Sequence, residues 1–292
     1  MPTSIRADRI RSFLNFVHQR ETLRLRKESE QEPWTTDPIL AKYRFCNIRR
    51  RDDRVSEWLQ GIIAEYPNAS HLGPWLALAR FVNWPPTLRM LLDNGISPAK
   101  PISWGLAGKL LDYRCEQGIK TWTGAYMVRA ERQAEGKKGR YVCEVALQRC
   151  FESKAEALGI AIAEGRREVV HGVLQSAYGW GSFMAGQVVD DWTWTDLLRD
   201  ATDHFTWAPQ GPGSLRGLNW LKGRPLTRKI DIAEWQQDLM LLRERVVADL
   251  GNEYHDLTLM DVQNMMCEHS KYCRATEGGS PPRSLYKPEC AY

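Results

Sequence analysis

This sequence lacks the signatures of most familiar enzyme classes. No Gly-x-x-x-x-Gly-Lys-Ser/Thr loop is present, so the chain carries no Walker phosphate cradle and is not itself a P-loop kinase. No Gly-x-Gly-x-x-Gly follows a strand-like run, and neither His-Glu-x-x-His nor Gly-x-Ser-x-Gly occurs. The six histidines are dispersed, and His171 and His204 read as structural groups rather than metal ligands. The seven cysteines are scattered without a Cys-x-x-Cys pair. An odd, irregular set suits reduced thiols and offers no zinc site. No apolar run reaches about 18 residues, so no membrane span is expected. Arg6, Asp8, Arg9 and Arg11 break up any apolar leader, so no secretory signal is expected either. Net charge is only +4 over 292 residues. Any nucleic-acid binding must therefore come from local patches rather than a globally basic surface. Strand-like alternation is scarce, and no internal repeat is visible.

What the chain does have is helical rhythm. Hydrophobic residues make up 43% of it, enough for a real core, and tryptophan is abundant at 12 copies. Apolar side chains recur at helical spacing over 4–28, 38–64, 103–116, 180–201, 231–249 and 258–273. Two helices meeting near Ser153 are predicted over 141–176. Further helices are predicted through Trp75–Val82 and from Pro85 to about Gly95. The run 231–249 is the best defined, with Trp235, Leu239, Leu242 and Val246 on one side. After Ala275 the composition turns loop-like, and 276–292 reads as a flexible tail. The pattern predicts a single all-α domain over 1–292.

The most informative stretch runs from Pro33 to Val55, within a basic region of about 30–64. It sets Lys42, Arg44, Arg49, Arg50, Arg51 and Arg54 among aromatic residues and an Asn47-Ile48 pair. Asp37 can cap a helix that Pro38 opens. Arginine forks at helical spacing can grip phosphates, although a solvated basic face has the same pattern. Gly211-Pro212-Gly213-Ser214 forms a second motif. Its glycines suit a tight turn, Ser214 can cap a helix from Leu215, and amides at such a helix start can hold an anion. Arg216 follows one turn on, and an ordinary connecting loop is the alternative. In 258–273, Asp261, Asn264, Glu268 and Lys271 share a helix face by their spacing of three, seven and ten. They form either a site or a solvated stripe, and Lys271 can simply pair with Glu268. Gln187 and Asp191 lie four apart on another helix, with Asp190 turned about 100° away. Gly136-Lys137-Lys138-Gly139-Arg140 reads as an exposed basic turn or a phosphate contact.

The run PWTTDPILAKYRFCNIRRRDDRVSEWL resembles the N-terminal signature of the alpha-glutamyl/putrescinyl thymine pyrophosphorylases, the amino acid:DNA transferases of phage thymine hypermodification. The same signature appears in the helical domain attached to 5-hydroxymethyluracil DNA kinases. Further blocks fit in order along nearly the whole chain: Ala79 to Pro85, Thr123 to Tyr126, Phe183 to Gln187, Gly211 to Leu218 and Asp261 to Glu268. The resemblance implies a helix-hairpin-helix, DNA glycosylase-like helical domain with an N-terminal helical extension. Its hairpin region would span about 178–275, with Gly211, Gly213, Ser214 and Arg216 on the DNA backbone.

The implied reaction replaces pyrophosphate on pyrophosphorylated 5-hydroxymethyluracil with an amino acid or polyamine, giving hypermodified thymine. The base must leave the stack at a cost of about a few kcal/mol. Departing pyrophosphate needs cations, for which Arg44, Arg50 and Arg54 are the candidates. The nucleophile must lose a proton, for which Asp261, Glu268 and Asp191 are candidates, with Lys271 beside the leaving group. Gln187, Asn47, Asn83 and Tyr126 are candidates for contacts to the base. No metal ligand set and no cofactor is required, and Mg²⁺ can accompany pyrophosphate. The implied partners are double-stranded DNA bearing modified uracil, a free amine and a 5-hydroxymethyluracil DNA kinase, with no membrane, in the cytoplasm of an infected bacterium. Two other readings stay open. One is a base-excising glycosylase, with Asp231 following the Gly-Pro-Gly turn. The other is a non-catalytic DNA-binding accessory of the kinase.

Overall fold

The computed structural model describes residues 6–124, 137–279, 282 and 284–286. The protein is all-helical: the described residues contain no strand, only an isolated antiparallel bridge between Tyr43 and Leu285. The chain folds into two compact units. The first combines 1–53 with 204–291, and the second spans 54–203.

In the first unit the long helices are Ala7–Glu28, Pro212–Leu221, Ile232–Leu250 and Leu259–Thr276. Each begins or packs as its sequence dictates. Asp231 caps Ile232–Leu250 by accepting the Glu234 amide at 2.7 Å. Thr258 and Asp261 form a reciprocal capping box at the start of Leu259–Thr276. Trp235, Leu239, Leu242 and Val246 are fully buried, as their rhythm predicts. They join Phe13, Phe16, Val17, Leu40, Ile48, Leu218, Val262 and Met266 in one core.

The Pro212–Leu221 and Leu259–Thr276 helices pack exceptionally close, and glycine allows it. A Cβ on Gly213 would lie 2.5 Å from the Cys267 Sγ, and one on Gly217 would lie 2.5 Å from the Met266 carbonyl oxygen. The sequence motif was therefore informative for a different reason than expected. Gly213 has no positive φ and lies inside the helix. Ser214 is not a cap: it is fully buried in the first turn, donates to the Gly211 carbonyl at 3.1 Å and accepts from Gln263 at 3.0 Å. The residues preceding Gly211, 201–210, form turns and irregular chain rather than a helix, so the motif does not join two helices as a hairpin.

The second unit contains Arg54–Glu65, Leu72–Val82, Pro85–Asp93 and Trp104–Glu116. A continuous helical run then passes through Lys138–Arg140, Tyr141–Gln148 and Arg149–Ser153, its middle wound as a π-helix. Ala155–Ala163, Arg167–Gln175 and Ser182–Trp192 complete the unit. The break near Ser153 falls as expected, but 141–176 holds three helical pieces; in 180–201 one helix forms, Ser182–Trp192, and 193–201 hold turns. The Lys137–Arg140 segment is not an exposed turn. Asp112 accepts the Gly139 and Arg140 amides at 2.6 and 3.0 Å, and a Cβ on Gly139 would lie 2.5 Å from the Gly108 carbonyl oxygen. These amides are committed to a carboxylate of the protein, so they do not serve phosphate.

Candidate functional site

The basic signature folds differently from its helical spacing. Asp37 caps as expected, accepting the Ile39 and Leu40 amides at 2.8 and 2.9 Å, but the helix Pro38–Lys42 ends after five residues. Residues 43–49 are not helical, bending at Ile48 and Arg49, and a helical turn resumes only at Arg50–Asp52. The reason is competition for backbone donors. Three carboxylates take amides that a helix would bond internally. Glu268 accepts the Cys46 amide at 3.2 Å, Asp53 accepts the Asn47 amide at 2.8 Å, and Asp261 accepts the Arg50 amide at 2.8 Å. Asn264 donates to the Asn47 carbonyl at 3.5 Å. From the other side, Arg20 donates to the Phe45 and Cys46 carbonyls and to the Asn47 side chain.

The polar face of the Leu259–Thr276 helix is thus neither a solvated stripe nor a bare catalytic array. It is the cradle on which the 46–50 loop lies. Asn47, Arg50, Asp261, Glu268 and Lys271 come together there, in the first unit. Asp261 spends one oxygen on Arg50 and the other on the Thr258 amide and hydroxyl. Glu268 is buried and pairs with Lys271, whose side chain remains one-third exposed. Burial works against the Lys271 charge, but Glu268 beside it holds the ammonium above the ordinary lysine range. Burial pushes the Cys267 thiol up to about 11 and the Cys46 thiol well above its usual value. Both stay protonated at neutral pH and are poor nucleophiles. Burial also raises the Asp53 carboxyl to about 6, against the opposing pull of the Asn47 amide and Arg20.

The phosphate candidates separate. Arg44 is exposed, with its amide bonded to the Ser284 carbonyl at 3.0 Å. The described part of the tail therefore docks on the signature at 284–286 instead of hanging free. Arg50 is buried, and Arg54 opens a helix of the second unit. Arg216 is exposed on the Pro212–Leu221 helix.

In the second unit, two other blocks meet. Arg80 grips Asp191 with both arms of its fork, at 2.6 and 2.7 Å. It also donates to Asn83 and to the Ser56 hydroxyl at 3.2 Å each. All four side chains are buried. Asn83 adopts φ 49° and ψ 37°, a left-handed turn that ends the Leu72–Val82 helix. Gln187 is buried one turn before Asp191. Asp190, turned to another side, faces Arg167, which is fully buried and also contacts Asp203. Asp203 in turn accepts the Arg167 and Glu168 amides at 2.9 and 3.0 Å. Sequence reasoning missed Arg20, Arg80, Asp53, Arg167 and Asp203. A cation within an otherwise apolar helical run, as in Leu78-Ala79-Arg80-Phe81, was the available signal for a buried pair. Tyr126 lies outside the described residues.

Among the described residues, no group of three or more His, Cys, Asp or Glu side chains could hold a metal ion, and no helix is long and apolar enough to cross a membrane.

Residues 7–279 match the family described as 5-hmdU DNA kinase, helical domain. The chain belongs to that family. The 5-hmdU DNA kinase of Bacillus phage SP10 is 23% identical over 298 aligned residues, which cover 91% of this chain and 45% of that protein. The chain spans about half the length of this curated relative. No solved structure matches it.

Proposed function

We propose that the protein acts on DNA carrying 5-hydroxymethyluracil, as a transferase that replaces pyrophosphate on the modified base with an amino acid or polyamine. Family membership supports the nucleic-acid context, and the lack of a Walker loop argues that these residues do not perform the phosphorylation itself. The observation that carries the reading is the docking of the 46–50 loop on the C-terminal helix. It gathers a paired carboxylate and ammonium, Glu268 and Lys271, beside the Asn47–Arg50 turn.

In this mechanism the amine nitrogen attacks the exocyclic methylene carbon. The carbon–oxygen bond to pyrophosphate breaks, and a carboxylate accepts the amine's proton. Both carboxylates accept hydrogen bonds at both oxygens, but one Glu268 oxygen is held only by the partly exposed Lys271 side chain, whereas each Asp261 oxygen accepts a backbone amide, so Glu268 is the better base. Lys271, Arg44 and Arg50 would meet the departing charge. Asp191 would act as a positioning residue, holding Arg80 and through it Asn83. Within the first unit, Asn47 would contact the base and Arg216 the phosphates.

A second reading has a specific observation in its favour. Asp191 and Asp261 are fully engaged in structural bonds, as expected of a DNA-binding accessory domain that does no chemistry. The experiment is mass analysis of nucleosides from pyrophosphorylated 5-hydroxymethyluracil DNA incubated with the protein and a pool of amino acids and polyamines. A new modified thymidine supports transfer, abasic sites indicate a glycosylase, and unchanged DNA indicates the accessory role.

A further inference from the structure

One part of the second unit combines aromatic rings and cations in a way the transfer chemistry does not use. Lys120 places its ammonium 3.3 Å from the centroid of the Trp84 ring, and Lys138 lies 4.3 Å from that of Trp122. The two pairs belong to segments stitched together. The Thr87 hydroxyl donates to the Thr121 carbonyl at 2.9 Å, and the Thr123 amide donates to the Val82 carbonyl at 3.4 Å. Each ring is also anchored. Trp84 follows the left-handed Asn83, which Arg80 and Asp191 fix from below. Trp122 donates its indole N–H to the Cys115 sulfur at 3.1 Å, leaving its ring face as its remaining means of recognition.

Among the described residues the charge here is one-sided. Arg114 donates to the Lys120 carbonyl, and among the described residues no carboxylate pairs with Arg114, Lys120 or Lys138. Glu116 is paired with Lys137, and Asp112 is buried against backbone amides. Trp84 and Trp122 are only partly buried, and Lys120 is exposed.

We propose that the surface carrying Trp84, Lys120, Trp122 and Lys138 binds an unpaired nucleic-acid strand. Bases stack on the two indoles while the lysines, swung off the rings, meet phosphates. Stacking needs a free base face, which a duplex does not offer, whereas cations alone would serve either form. This surface does not depend on the transferase reading, since an accessory domain could use it equally.

The test is fluorescence anisotropy of the full chain with a labelled single-stranded thymidine oligonucleotide of about 20 nucleotides and with the corresponding duplex, two stacking contacts being enough to separate them. The expected result is binding roughly tenfold tighter to the single strand. Trp122→Leu should weaken it by roughly tenfold, and Trp122→Phe should restore most of it. Lys120→Gln, at an exposed position, should weaken single-strand binding without moving the thermal midpoint, which keeps the test valid if Trp122→Leu fails to fold. Equal affinity for both forms, no effect of Lys120→Gln, or equal competition by polyglutamate would overturn the proposal.

Discussion

Arg80 and Asp191 lie 111 residues apart in sequence and meet as a bidentate pair at 2.6 and 2.7 Å, with almost no exposure of either side chain. Two short blocks that each look like unremarkable helix are joined by this contact. Taking both charges out of water costs several kcal/mol, which the paired geometry and the added bonds to Asn83 and Ser56 must offset.

Breaking that pair from one side should be severe. Arg80→Met or Asp191→Leu is expected to destabilise the protein by about 3–5 kcal/mol, because the remaining partner stays buried without its complement. The double variant Arg80→Met/Asp191→Leu should cost less than the sum of the singles. Urea unfolding of the four proteins checks this. Additive losses would mean that the two groups do not act as a pair.

Gly213 provides a test of helix packing. Valine there should cost about 1–3 kcal/mol, since its Cβ would meet the Cys267 sulfur at 2.5 Å. Cys267→Ala should recover part of the loss by opening space. A stable Gly213→Val protein that only loses DNA affinity would instead support the phosphate-binding role that the sequence suggested.

Glu268 and Asp261 are separable in activity. If Glu268 is the base, Glu268→Gln should slow single-turnover transfer by about 10²–10⁴, with the deficit shrinking at high pH as the free amine loses its own proton. Asp261→Asn should act chiefly on stability, because its capping box and its bond to the Arg50 amide are weakened. Near-normal transfer by both variants at every pH would take this helix out of the mechanism.

His269 should make the protein acid-sensitive. It is fully buried among Phe13, Phe16, Trp220 and Tyr272, and burial lowers its pKa to about 3. A depressed folded pKa means that the unfolded chain binds the proton first. The contribution to stability is therefore intact above the ordinary value of 6.5 and is lost as pH falls from there towards about 3. The expected slope is about 1.4 kcal/mol per pH unit in that window. His269→Phe, which keeps the aromatic packing, should flatten it. Chemical denaturation of both proteins at pH 7 and pH 5 measures the difference, which also cancels the opposite trend from the raised Asp53 carboxyl.

Local signals survived into the structure wherever a residue's role was set by its near neighbours. Asp37 and Pro38 opened a helix, Ser153 marked a break, and the Trp235–Val246 stripe faced the core. The all-helical class follows from the same periodicity. Residues 43–50 were misread because the Cys46 and Arg50 amides are claimed by Glu268 and Asp261, more than 200 positions away, while the nearby Asp53 takes the Asn47 amide. No window along the chain contains the two long-range bonds. Gly213 was misread because a glycine required by a neighbouring helix has the same sequence appearance as one required by a turn. Arg80 and Arg167 went unnoticed because their partners, Asp191 and Asp203, are distant in sequence.

The order of assembly is constrained by how the chain is divided. The second unit is continuous, 54–203, so every residue it needs has been synthesised before residues 204 onward exist. The first unit is split across that insertion, and its signature loop takes part of its shape from Glu268 and Asp261. Its contacts close very large loops, the kind that form late and slowly. On the ribosome, the inserted helices can therefore fold first while residues 1–53 wait, their basic segment unstructured, for the C-terminal helix to emerge.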